Sequence, residues 1–206
     1  MAYIDAKGVL TEGESWVGID THTCTADDTE ITFTSQTGST DYKKNWSQYQ
    51  DLILISTVRS NHNNPHDYMH LTFNNKTSAY WHQYMYVSSG VFSAIESSPL
   101  SKLSIGTVTA AQMPAGYFAP SMCEMFEINS GKYKSSISEW GHDKASTASQ
   151  VGQYACTWAD TSDGMLSTNY LHTIDITLNW GDFVSGSKFD LFGVLPRMTE
   201  NTAVAY

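Results

Sequence analysis

Charge is scarce in this chain. Asp, Glu, Lys and Arg make up 16% of its 206 residues, and only 11 of these are basic. The formal net charge is −10. Binding along a phosphate backbone needs clustered Lys and Arg, so this composition excludes a nucleic-acid partner. Cysteine is scarcer still. Cys24, Cys123 and Cys156 are an odd set, far apart, with no CxxC among them. Such spacing builds neither a zinc finger nor a disulfide framework. Cys123 and Cys156 sit in strand-like runs and read as buried thiols. Helical periodicity is missing, because no window carries a 3.6-residue apolar stripe of helical length. No apolar run approaches the roughly 18 residues of a membrane helix. Met1–Glu14 lacks the charged-then-apolar pattern of a secretory signal. The expectation is a protein made in the cytoplasm with no membrane partner. GxSxG, HExxH and phosphate-cradling glycine loops are absent as well.

What the chain does carry is apolar and aromatic alternation. Apolar residues are 41%, with 12 Tyr and 6 Trp, a composition that favours strands. The clearest stretch is Ile174–Leu195. Ile174, Ile176, Leu178 and Trp180 alternate with Asp175, Thr177 and Asn179, the period of a half-buried strand. Gly181-Asp182 and Ser185-Gly186-Ser187 supply turn chemistry. A second alternation follows from Lys188, and the pair predicts a closing β-hairpin. Leu52–Ile55 is apolar on both faces, which predicts a strand central to a sheet or covered by an interface. Further strands are expected at 30–34, 69–73, 80–87, 91–95, 122–128, 133–140 and 151–158. Residues 97–120 are the least patterned, with a strand inside them at 105–110. All five prolines (65, 99, 114, 120 and 196) fall outside these strands.

Many short strands with turn signals between them point to an all-β chain. It reads as a single antiparallel β-sandwich domain over 1–206, jelly-roll-like, with residues 1–46 as a long irregular N-terminal arm or as extra strands. Its expected core contains Leu52, Leu54, Phe73, Phe126, Ile176, Leu178 and Leu191.

Candidate chemistry is thin. His62, His66 and His70 are four apart and would share a face on a helix, as metal ligands do. Pro65 and the asparagines around them argue against a helix, so they are the chain's weak metal candidates and no metal or cofactor is expected. Glu139 and His142 place an acid near an imidazole, but no nucleophile or second carboxylate accompanies them. The chain is therefore read as non-enzymatic. Tyr80–Tyr86 offers aromatic rings on both faces of a strand, either as a sugar platform or as packing. With the surplus apolar face at Leu52–Ile55, this run makes Ile53, Ile55, Tyr80, Trp81, Tyr84 and Tyr86 the interface candidates. A repeated self-contact of this kind predicts a symmetric homo-oligomer.

Several of these segments, taken in order, resemble the β-sandwich virion proteins of tailed bacteriophages, of the head-decoration or fibre-associated type. The matching pieces are Tyr49-Gln-Asp-Leu52 leading to Arg59, Leu71-Thr-Phe-Asn74 before the aromatic strand, Tyr133-Lys-Ser135, Trp158, and Gly181–Val194. The resemblance covers roughly residues 49–194, with low similarity at 97–120. It implies a virion protein without catalytic residues: a capsid decoration (cement) protein, trimeric by analogy, whose partners are its own copies and the major capsid protein or another virion protein. A tail-fibre module touching carbohydrate is the alternative. A glycan hydrolase on the same fold is a third reading.

Overall fold

The computed structural model describes residues 16–36, 42–131, 133–142, 150–159 and 170–195. Residues 1–15 of the expected arm, the turn around 37–41, the polar loops 143–149 and 160–169, and Pro196 lie outside the described residues. Twelve strands follow in order: β1 (Trp16–Thr23), β2 (Glu30–Thr34), β3 (Asp51–Val58), β4 (His66–Phe73), β5 (Tyr80–Ser88), β6 (Val91–Leu100), β7 (Leu103–Thr109), β8 (Ala119–Phe126), β9 (Lys134–His142), β10 (Gln150–Trp158), β11 (Thr173–Leu178) and β12 (Lys188–Val194). Two short 3-10 turns at Tyr42–Lys44 and Trp46–Gln48 are the helical content among the described residues.

The strands form two antiparallel sheets. One has eight strands in the order β1-β12-β3-β8-β9-β10-β5-β6, and the other has four in the order β2-β11-β4-β7. The pattern becomes simple when the hairpins β5–β6 and β9–β10 are set aside. What remains is β1-β12-β3-β8 facing β2-β11-β4-β7, the double Greek key of a jelly roll. The two set-aside hairpins pair with each other through β10 and β5, and with the jelly roll through β9 and β8. They extend the large sheet into a four-stranded wing. Ser89 and Gly90, both with positive φ, make the tight turn of the β5–β6 hairpin.

The closing hairpin expected at Ile174–Leu195 is not a hairpin. β11 pairs with β2 and β4 in the small sheet, whereas β12 pairs with β1 and β3 in the large one. The segment between them crosses from sheet to sheet. Its Phe183 is fully buried, bridges Asp28 and Ser60, and meets Phe189 edge-on at 5.0 Å. Residues 16–34 are likewise no loose arm, since β1 and β2 each complete a sheet.

The core lies between the sheets. Leu52, Leu54, Phe73, Ile176, Leu178 and Leu191 are buried in it as expected. Phe126 is not. It ends β8 on the outer face, while Cys123 and Met125 point inward in its place. Phe73, Tyr80 and Trp158 pack ring against ring at 5.6–6.3 Å. All three cysteines are free and buried.

The poorly patterned region also folds. β7 is buried along its whole length, and β8, β9, β10 and β5 of the large sheet all reach it. A strand covered on both faces shows no alternation. Two prolines stand inside strands, against expectation. Pro99 lies in a bulge of edge strand β6, where the pairing jumps from Tyr80–Leu100 to His82–Ser97. Pro120 is the second residue of β8, ahead of the first β9 pairing at Ser121. Both are positions where a missing N–H is tolerated.

Candidate functional site

Alternation along β5 sends Trp81, Gln83, Met85 and Val87 to the outer face of the large sheet. Tyr80, His82, Tyr84 and Tyr86 go to the inner face. Antiparallel register then lines up outer-face rows across the wing. One row runs Phe92–Val87–Val151, and the next Ala94–Met85–Gln153–Glu139–Met122. A third runs Glu96–Gln83–Ala155–Ile137–Glu124. The face is open. Phe92 is 63% exposed, Val151 58% and Met85 48%, with Trp81, Val87, Met122 and Ile137 exposed beside them. Small Ala94 and Ala155 between larger neighbours leave a shallow trough of ≈ 330 Å³, edged by Met85, Gln83, Glu96 and Gln153.

The same face continues beyond the wing. Ile55 pairs with Met122, Ile53 with Glu124, and Phe192 with Ile53. Trp16 lies over Phe192 at 6.2 Å between ring centroids. Its carboxylates include Glu96, Glu139 and Glu124, and near one end Lys188 and Asp190 pair at 2.9 Å. Burial raises the pKa of Glu124, helped by Asp51.

The six interface candidates therefore divide. Ile53, Ile55 and Trp81 stand on the outer face, although Ile53 is itself buried. Tyr80, Tyr84 and Tyr86 stand on the inner face. Tyr80 is a core residue whose hydroxyl donates to the Lys76 carbonyl at 3.0 Å and accepts from Phe73 N–H at 2.8 Å. It offers no surface to a partner. The sequence reading missed Phe92, Met85, Val151 and Ile137, whose signal was the open side of an alternation already visible.

The inner face of the wing carries a chain of rings. Tyr86 stacks on Tyr84, Tyr84 meets Tyr154 at 5.0 Å, and Trp140 links Tyr154 to His142. His142 stacks on His66, His66 meets Tyr68, and Trp180 joins Tyr68 to His62. Burial raises the phenol pKa values of Tyr154, Tyr84 and Tyr68 and lowers that of His82. Trp180, 53% exposed, is the open end of the chain.

The histidine series does not converge. His62 stacks on Trp180 in a loop, and His66 stacks on His142. His70 contacts the Ser104 hydroxyl through Nδ1 at 3.2 Å, and burial together with Lys102 holds its pKa down at about 4. Glu139 and His142 lie on opposite faces of β9, since a spacing of three reverses direction in a strand. They cannot act as a pair. A different trio does meet: His22, Cys24 and Asp28, whose ligating atoms all lie within 4.8 Å of one another. Burial, with Asp28 alongside, pushes the Cys24 thiol up to about 12.

No family model matches the chain, and no curated protein matches it. Among solved structures, it is similar to the infectious bursal disease virus VP2 subviral particle at 11% identity and a TM-score of 0.12, over 95% of this chain and 46% of that one. The chain thus spans less than half of that chain's length, and a likeness this weak carries no argument.

Proposed function

We propose that this chain is a non-enzymatic structural protein of a tailed-phage particle, a head-decoration protein held on the outer capsid surface as a homotrimer. The observation that carries the reading is the open apolar outer face of the large sheet, from Phe92 and Val151 to Met122. Contiguous apolar patches of this kind are rare on soluble monomers and mark contacts with other proteins. A jelly roll is a rigid module whose role is set by its surfaces, and the fold alone assigns none. The acidic excess keeps free copies apart until a specific contact forms. The head location and the trimer rest on the resemblance to phage virion proteins. The test is a reconstruction of the intact particle together with light scattering of the isolated chain. Density for the jelly roll on the capsid surface, and a trimer in solution, are expected. A monomer found only at a tail tip overturns the reading.

One observation favours a second reading, a carbohydrate-contacting fibre module. Trp180, with Tyr68 and His62 against it, presents an exposed ring of the kind that stacks on a pyranose face. Glycan binding that is lost in Trp180→Ala would support this second reading.

A further inference from the structure

The trio His22, Cys24 and Asp28 stands apart from both surfaces described above. His22 is near the end of β1, paired with Phe189 across the ladder to β12. Cys24 follows the strand, and Asp28 lies four residues on. The backbone fixes both ends of this turn. Cys24 N–H donates to the Ser187 carbonyl at 2.9 Å, and Gly186 N–H donates to the Cys24 carbonyl at 2.8 Å. Asp28 and Phe183 exchange two such bonds, at 2.9 and 2.8 Å. Two ligands are therefore pinned to the 183–187 segment and the third to β12, so the cluster is set by the jelly roll itself.

The spacing of the atoms suits a metal. His22 Nε2 and Asp28 Oδ2 are 3.3 Å apart. Bonds of about 2.0–2.3 Å to nitrogen, oxygen and sulfur give a tetrahedron with edges of about 3.3–3.8 Å. The His–Asp pair already has that edge, and the thiol sulfur lies within 4.8 Å of both partner atoms. The donor set, one imidazole, one sulfur and one carboxylate, matches the borderline-soft character of zinc better than that of calcium or magnesium. Asp27 adds a second carboxylate beside the site, held by the Asn61 amide at 2.9 Å.

We propose that His22, Cys24 and Asp28 form a three-ligand site for a zinc-class divalent cation, with water in the fourth position. On binding, Cys24 gives its thiol proton to solvent. His22 Nε2, Cys24 Sγ and Asp28 Oδ2 then each donate a lone pair to the metal. The bound ion would tie the end of edge strand β1 to the turn beyond it.

Cobalt titration of the untagged full-length chain under reducing conditions tests this. A stoichiometric cobalt ion should give a near-ultraviolet thiolate charge-transfer band with visible bands of tetrahedral intensity, and zinc should displace it. Cys24→Ser should abolish the charge-transfer band, while Cys123→Ser and Cys156→Ser leave it in place. His22→Gln and Asp28→Asn should weaken cobalt binding by more than the roughly 10-fold minimum that a lost supporting contact costs. A folded wild-type chain without the band, or a band that survives in Cys24→Ser, overturns the site. Should Cys24→Ser fail to fold, His22→Gln decides, because its side chain is half exposed: unchanged cobalt affinity in that variant overturns the proposal.

Discussion

Gly152 lies directly beneath the indole of Trp140, its partner across the β10–β9 ladder. A Cβ built on Gly152 would fall 2.5 Å from Trp140 Cζ2 and 2.8 Å from the Met85 carbonyl oxygen. The ring chain on the inner face of the wing depends on this missing side chain. Gly152→Ala should therefore displace Trp140 and cost about 1–3 kcal/mol, as overpacked sites do. Denaturant titration checks the cost, and a change in tryptophan fluorescence reports the displaced indole.

Arg59 organises the segment that carried the least sequence pattern. Its guanidinium donates to the carbonyls of Met113 at 2.8 Å, Pro114 at 3.0 Å, Tyr117 at 3.2 Å and Ala111 at 3.4 Å. Arg59→Gln should cost about 1.5–3 kcal/mol, the range for hydrogen bonds to a charged group. The loss should appear locally as faster amide exchange across residues 110–118. Unchanged exchange there would refute the anchoring role.

Acid should weaken the fold through His70. Burial, then Lys102, takes its pKa from the ordinary 6.5 down to about 4 in the folded state. Between those values the unfolded chain holds the proton and the folded chain does not. Stability is then fully present above pH 6.5 and is lost as pH falls toward 4, by about 3 kcal/mol at most. His82 is shifted the same way by burial. Melting curves of the wild type and His70→Gln across this window check it, and the variant should lose stability less steeply.

The outer face should respond to charge. Phe92→Glu with Val151→Glu puts two carboxylates where apolar neighbours now lie exposed. The pair should abolish self-association in light scattering. It should leave the melting temperature within a few degrees, because neither side chain is in the core. Association that survives the double change would place the contact elsewhere.

Period-two alternation made most strands and six of the seven expected core residues legible. It names the faces of a strand but not its neighbour. Ile174–Leu178 and Lys188–Val194 were therefore both visible, yet their separation into different sheets was not. Phe126 failed for a related reason, since β8 has large side chains on both faces and alternation cannot say which is inside. β7 gave little signal because both its faces are covered. His22, Cys24 and Asp28 were invisible as a group. Their meeting depends on the turn being held by residues 183–187, some 160 positions away in the chain.

The strand order also sets a schedule. Among the described residues, β1 pairs only with β12, and β2 only with β11. These two strands leave the ribosome before any other described strand, and their partners leave it last. Each remains unmatched until its late partner is made, and each pairing must close a loop of well over a hundred residues. Such long-range closure makes folding slow and exposes sticky intermediates. The hairpins β5–β6 and β9–β10 need only local contacts and can form early. The wing should therefore assemble ahead of the jelly roll that it later extends, and a chain cut short before residue 173 should leave both of its earliest strands without a mate.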